Sequence, residues 1–276
     1  MFGEKLIWLS TALVILFSAC ASQHPEVELV PSEQKGEMKN KITITIVYDN
    51  NRYDSRLTTA WGFSCLANLP QQAVLFDTGG DGKVLLDNMS KLGIDPEEID
   101  VVVLSHVHAD HTGGVAHFLD YNSKVTVYMP ASFPQWLKDE VRTTGAKLEE
   151  IDKARELFDG TLTTGELDGG IKEQSLLLRT PKGLVVITGC AHPGILNITE
   201  RAKEISEENI YLVMGGFHLT GAPQSQINNI AEGLLQLGVE KVAPCHCSGD
   251  VARRLFGDYF GDNYIDCGAG KVIVIE

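Results

Sequence analysis

The chain lacks the cysteine density of a disulfide scaffold. Six cysteines are spread over 276 residues, at positions 20, 65, 190, 245, 247 and 267. None of them forms a Cys-x-x-Cys pair, which excludes a zinc ribbon. Basic residues are also scarce: 23 Lys and Arg stand against 37 Asp and Glu, for a formal net charge of -14 and a pI near 5.0. A body this acidic repels phosphate backbones, so no nucleic acid is expected as a partner unless a metal or a local patch supplies positive charge. Internal repeats and low-complexity tracts are absent. A 43% hydrophobic and 22% charged composition is that of a folded globular protein, long enough for one large domain or two small ones.

After Lys5, residues 6–19 (LIWLSTALVILFSA) are uncharged and mostly apolar. That is short of the roughly 20 residues a membrane span needs but suits the apolar core of a signal peptide. The run ends Phe17-Ser18-Ala19-Cys20, similar to a bacterial lipobox, although Phe17 replaces the usual Leu and Glu4 weakens the basic start. The expectation is a signal peptide over 1–19 and lipid on Cys20, giving an exported, membrane-anchored lipoprotein in the periplasm or at the cell surface. Cleavage after Ala21 and an uncleaved signal anchor are the alternatives. Residues 20–41 carry Pro25, Pro31, Gly36 and mixed charges, as a flexible tether does.

From Ile42 the chain alternates strand-like and helix-like runs to its end. Strands are expected at 42–48, 61–67, 73–76, 101–104, 125–129, 175–178, 184–187, 211–214, 239–243 and 272–275. Helices are expected at 84–92, 133–142, 195–205 and 227–237. This order predicts a layered αβ domain over 42–276, with function in the loops at strand ends.

Three of the eight histidines fall in one such loop, Ser105-His106-Val107-His108-Ala109-Asp110-His111-Thr112-Gly113-Gly114, directly after an apolar strand. A loop leaving a strand turns alternate side chains to one point, so His106 and His108 can share a cation while Asp110 and His111 face a neighbouring position. Imidazole and carboxylate are ligands that borderline divalent metals prefer. Three later strand ends add candidates: Cys190 and His192 in GCAHPG, His218 in GGFHL, and His246 in PCHCSG, where Cys245 and Cys247 flank it. Asp77, in the turn Asp77-Thr78-Gly79, is placed either to orient a ligating histidine or simply to form the turn. His24 in the tether and His117 beyond the loop are expected to be solvated, and Cys65 to be a small core residue.

The SHVHADH run resembles the HxHxDH signature of the metallo-β-lactamase superfamily, and Leu75-Phe76-Asp77-Thr78-Gly79 resembles the strand and turn before it. The resemblance implies a four-layer αβ/βα sandwich with a metal cleft at the edge between two mixed sheets. It implies one or two divalent ions, zinc first, with manganese or iron as alternatives. His106, His108 and His192 would hold the first, and Asp110, His111 and His246 the second. Two positions depart from the superfamily pattern. The strand-end aspartate that bridges two metals is here Cys190, and Glu173-Gln174 stands where a third histidine of the first metal would precede the strand at 175. His218 is the further candidate for completing the second position. The GCAHPG, GGFHL and PCHCSG segments resemble a subgroup that includes an archaeal enzyme joining a dihydropterin to a ribofuranosyl-aminobenzene phosphate.

The expected function is that of an exported metal-dependent hydrolase. Metal-generated hydroxide would attack a small-molecule ester, lactone, thioester or phosphodiester, with Asp110 as general base if a single metal binds. The alternatives are a pterin-type condensing transferase and a non-catalytic metal-binding lipoprotein.

Overall fold

Two sheets face each other because each strand alternates two apolar faces. The computed structural model describes Phe2 and residues 41–276; the expected leader, Cys20, His24 and the tether up to residue 40 lie outside the described residues. Strands β1 (Ile42–Asp49), β2 (Phe63–Asn68), β3 (Ala73–Phe76), β4 (Val101–Val103), β5 (Thr126–Pro130) and β6 (Lys147–Ile151) build the first sheet. The chain then enters the second through β7 (Lys153–Phe158) and β8 (Thr161–Gly165). A short ribbon, β9 (Leu167–Asp168) and β10 (Lys172–Glu173), precedes β11 (Leu176–Thr180), β12 (Gly183–Thr188), β13 (Ile210–Gly216) and β14 (Lys241–Cys245). Finally β15 (Val272–Ile275) returns to pair with β1, so the orders are β15-β1-β2-β3-β4-β5-β6 and β14-β13-β12-β11-β8-β7. Both sheets are mixed: β3 to β6 and β12 to β14 run parallel, and the remaining pairs are antiparallel.

Ile44, Ile46, Val74, Phe76, Val101 and Val103 of the first sheet meet Leu176, Leu178, Val185, Ile187, Leu212 and Met214 of the second in one buried core. The intervening residues face outward onto helices. Leu75 and Val102 pack under α1 (Gly82–Leu92), α3 (Val115–Tyr121) and α4 (Gln135–Thr143), while α2 (Ala109–Thr112) is a single turn in the histidine loop. Leu184, Val186 and Val213 pack under α5 (Ile195–Ser206), α6 (Gln224–Gln236) and α7 (Asp250–Phe260). Burial of each such side chain contributes about 1.5–3 kcal/mol, which is what holds four layers together. The expected αβ/βα sandwich is therefore observed. Among the described residues no helix is long and apolar enough to cross a membrane.

Several boundaries differ from expectation for identifiable reasons. β2 begins at Phe63 because Gly62 has φ 140°, where its missing Cβ lets the chain pass against the Asp110 carbonyl. The first helix begins at Gly82, earlier than expected, because the Asp81 carboxylate caps it by accepting the N–H of Lys83 and Val84. Strands β6, β7 and β8 escape the apolar pattern: β6 and β7 are edge strands with exposed Lys147, Lys153 and Glu156, as unpaired edges require.

Candidate metal centre

The carboxyl ends of β3, β4, β12, β13 and β14 open at one edge of the sandwich, and their loops carry every described candidate ligand. Asp77 follows β3 in the left-handed region, at φ 54°, with its carboxylate fully buried. Its Oδ1 accepts the Ser105 N–H at 2.7 Å, and its Oδ2 accepts the Ser105 hydroxyl and the His111 Nδ1–H, both at 2.7 Å. Ser105 Oγ in turn accepts from His106 Nδ1 at 2.9 Å. Asp77 thus orients His111 directly and His106 through Ser105; burial lifts its own carboxyl to about 7.

Glu173, at the end of β10, does the same for the turn after β12. Its buried carboxylate accepts the N–H groups of Gly189, Cys190, Ala191 and His192, the Thr188 hydroxyl, and His192 Nδ1 at 2.8 Å. Burial works against its charge, but the His192 hydrogen bond, His106 and these backbone donors hold Glu173 well below the ordinary carboxylate range. The position where the superfamily resemblance looks for a ligand therefore holds the carboxylate that orients the candidate ligand His192. His246 is fixed similarly: Asn50 Oδ1 accepts from its Nδ1 at 2.9 Å, and Asp49 accepts its backbone N–H at 3.1 Å.

His106, His111, His192 and His246 thus each commit Nδ1 to an acceptor, which leaves Nε2 as the ligand atom. Burial and the neighbouring His111 push His106 down to about 3, and burial and the neighbouring His246 push His111 down to about 3, so both are neutral at pH 7. His106 Nε2 meets His108 Nδ1 at 3.1 Å, and His111 Nε2 meets His246 Nε2 at 3.2 Å. Facing lone pairs of this kind are what a cation reconciles. Ligand atoms of His106, His108 and His192 lie within 4.8 Å of one another, as do those of Asp110, His111 and His246. A third set, His106, His111 and Cys190, links the two, with Cys190 Sγ 3.3 Å from His111 Nε2. The donor chemistry fits borderline divalent metals.

Asp110 lies at the mouth, its side chain 22% exposed, with Oδ2 3.4 Å from His246 Nε2 and 3.7 Å from His111 Nε2. Burial alone would raise its pKa, but the His246 hydrogen bond and the two imidazoles hold it below the ordinary carboxylate range. His246 is raised in return: burial opposes its charge and the Asp110 hydrogen bond outweighs it. In the paired thiols, Cys247 and then burial push Cys190 up, while Cys247 is lowered by hydrogen bonds from Cys190 and His218. His218 is exposed, its ring 4.7 Å from that of His192, and belongs to neither histidine-rich set. His117 lies exposed on α3, Cys65 is buried in the core, and neither belongs to a ligand set.

Four of the six described non-glycine residues at positive φ are Asp77, Ala191, His218 and His246. Strain gathered at one edge marks a functional site, since each such residue costs about 1–3 kcal/mol. Sequence reasoning assigned no role to Ser105, Asn50, Glu173 or Trp61. Glu173 carried a signal, an acid where a histidine is usual. Trp61, 56% exposed with its ring 4.9 Å from that of His246, carried none.

Residues 66–246 match the profile of the metallo-beta-lactamase superfamily. The chain is 28% identical over 287 residues to the 7,8-dihydropterin-6-methyl-4-(beta-D-ribofuranosyl)-aminobenzene-5'-phosphate synthase of Methanocaldococcus jannaschii, covering 86% of this chain and 98% of that protein. It is 33% identical over 113 residues to the N-acyl homoserine lactonase AttM of Rhizobium johnstonii, covering 36% of this chain and 43% of that protein. The crystal structure of Tm1679, described as a metal-dependent hydrolase of the β-lactamase superfamily, superposes with a TM-score of 0.72 at 30% identity, over 84% of this chain and 98% of that one. A fold that implies divalent-metal binding, the HxHxDH loop at its sheet edge and these matches have one common reading: the chain belongs to the metallo-β-lactamase superfamily.

Proposed function

We propose that the chain is a metal-dependent hydrolase of a small-molecule ester, lactone, thioester or phosphodiester. The observation that carries this reading is the set of imidazoles with Nδ1 anchored and Nε2 free, beside an ionised and partly exposed Asp110. His106, His108 and His192 would hold one divalent ion, zinc in the first instance, and Asp110, His111 and His246 a second, with Cys190 beside His106 and His111 as a further donor. Ions so held supply Lewis acidity and lower the pKa of a water toward about 7. Asp77 and Glu173 keep the imidazoles in register, so little reorganisation accompanies reaction. With a single ion at the first position, the Asp110 carboxylate is the group placed to take a proton from water. The exposed face of Trp61 offers an apolar wall beside His246. The named activities of the lactonase and of Tm1679 support hydrolysis.

Similarity to the archaeal synthase across most of both chains favours a second reading, a transferase that condenses a pterin-like ring. Zinc-loaded protein assayed on p-nitrophenyl esters, lactones and bis-p-nitrophenyl phosphate separates the two. Chelator-sensitive turnover on one class supports the hydrolase. No turnover on any, at full metal occupancy, removes it and leaves the transferase or a non-catalytic metal-binding protein.

The leader and the lipobox-like Cys20 support export and a lipid anchor on the 42–276 domain. Stable anchoring follows from several acyl chains at about 0.8 kcal/mol per buried CH₂. Full-length protein should partition into detergent and label with palmitate, while Cys20→Ser should not. Aqueous wild-type protein cut after Ala21 would remove the anchor.

A further inference from the structure

Beside the histidine-rich centre lies a second kind of donor. The Sγ atoms of Cys190 and Cys247 and a ring nitrogen of His218 all lie within 4.8 Å of one another. The three come from the ends of three adjacent parallel strands: β12 is in register with β13 through Thr188 and Gly215, and β13 with β14 through Gly216 and Cys245. Their loops leave the sheet at one level, which is why residues 190, 218 and 247 converge.

Two features hold this arrangement against its local cost. His218 sits at φ 53°, a conformation that L residues rarely adopt. At Gly216 an added Cβ would stand 2.6 Å from Cys247 Sγ, so only glycine leaves the thiol its place. Both thiols are free and buried, with Cys247 Sγ donating weakly to the Cys190 carbonyl at 3.6 Å, whereas His218 is exposed. A metal in this set would be held by two buried sulfurs and the imidazole of an exposed histidine.

We propose that Cys190, Cys247 and His218 form a third metal site, distinct from the two histidine-rich positions, selective for soft ions such as zinc or cadmium and sharing Cys190 with the centre. Thiolates select soft metals, and three protein ligands with an open fourth position is a usual zinc arrangement. The site does not depend on what the histidine centre catalyses.

Cadmium titration of the full chain under a thiol-free reductant tests it, read by metal content and by the ultraviolet thiolate-to-cadmium charge-transfer band. The wild type should take up three equivalents. Cys247→Ser should take up one equivalent fewer than the wild type and lose about half of the band, and His218→Ala, at an exposed position, should bind that equivalent at least tenfold more weakly. Wild-type protein that takes up no more cadmium than Cys247→Ser overturns the proposal. So does a Cys247→Ser or His218→Ala protein that keeps the third equivalent and the full band. Failure to turn over any ester or lactone leaves the cadmium count untouched, so the two claims fail separately.

Discussion

Replacing Glu173 with Gln removes one charge and almost no volume, yet should disable the first metal position. In the wild type, Oε2 accepts the His192 N–H at 3.0 Å and His192 Nδ1 at 2.8 Å. A glutamine that keeps Oε1 on the backbone of 189–191 must set its own NH₂ against both donors. Each lost bond to a charged acceptor is worth about 1.5–3 kcal/mol, so the range is about 3–6 kcal/mol. His192 can rotate toward the cleft and relieve part of this, which places the expected loss near 3 kcal/mol, or roughly 6–12 °C in Tm for a domain of this size. With His192 free to turn, zinc affinity at the first position should fall about 10–100-fold. Urea unfolding of metal-free protein and zinc competition against a chromophoric chelator measure the two effects. A Glu173→Gln protein within about 0.5 kcal/mol of wild type, with unchanged zinc affinity, would refute the role given to this carboxylate.

His106→Ala, His108→Ala and His246→Ala should each lose a bound metal and turnover together, whereas His117→Ala should change neither; a His246→Ala protein that keeps as many metals as the wild type would break the assignment of the last loop. In the metal-free protein, His106 and His111 lie near 3 against an unfolded 6.5, and Asp77 near 7 against an unfolded 3.8. Between about pH 4 and 6.5 the unfolded chain then binds two more protons at the histidines and one fewer at Asp77, so stability should rise with pH by about 1 kcal/mol per unit; a flat or falling profile contradicts this. Trp61→Ala should raise KM about fivefold, roughly 1 kcal/mol of lost aromatic contact, with kcat little changed; an unchanged KM means that the substrate does not touch this face.

The histidine loop was legible because its candidate ligands are contiguous and follow an apolar strand, so no tertiary knowledge was needed to bring them together. The sandwich was legible for a related reason: strands buried on both faces, such as Val101–Val103 and Gly183–Thr188, read as unbroken apolar runs. Edge strands carry no such run, which hid Lys147–Ile151 and Lys153–Phe158. Helix α7 went unexpected although Ala252, Phe256 and Phe260 repeat every four residues, because Gly257 interrupts it and Gly249 offers no capping side chain. The groups that aim the ligands were hidden most completely. Asn50 meets His246 across 196 residues and Glu173 meets His192 across 19, and neither partner alters local periodicity. Only folding brings them into contact.

The central claim is that two divalent ions sit in the two histidine-rich sets, and anomalous diffraction at the zinc edge from crystals of the zinc-loaded protein tests it most directly. One anomalous peak should lie among His106, His108 and His192, and a second among Asp110, His111 and His246. Zinc-loaded crystals with no peak within bonding distance of His106 and His108, or with His192 and His246 both turned away from every peak, would contradict the account.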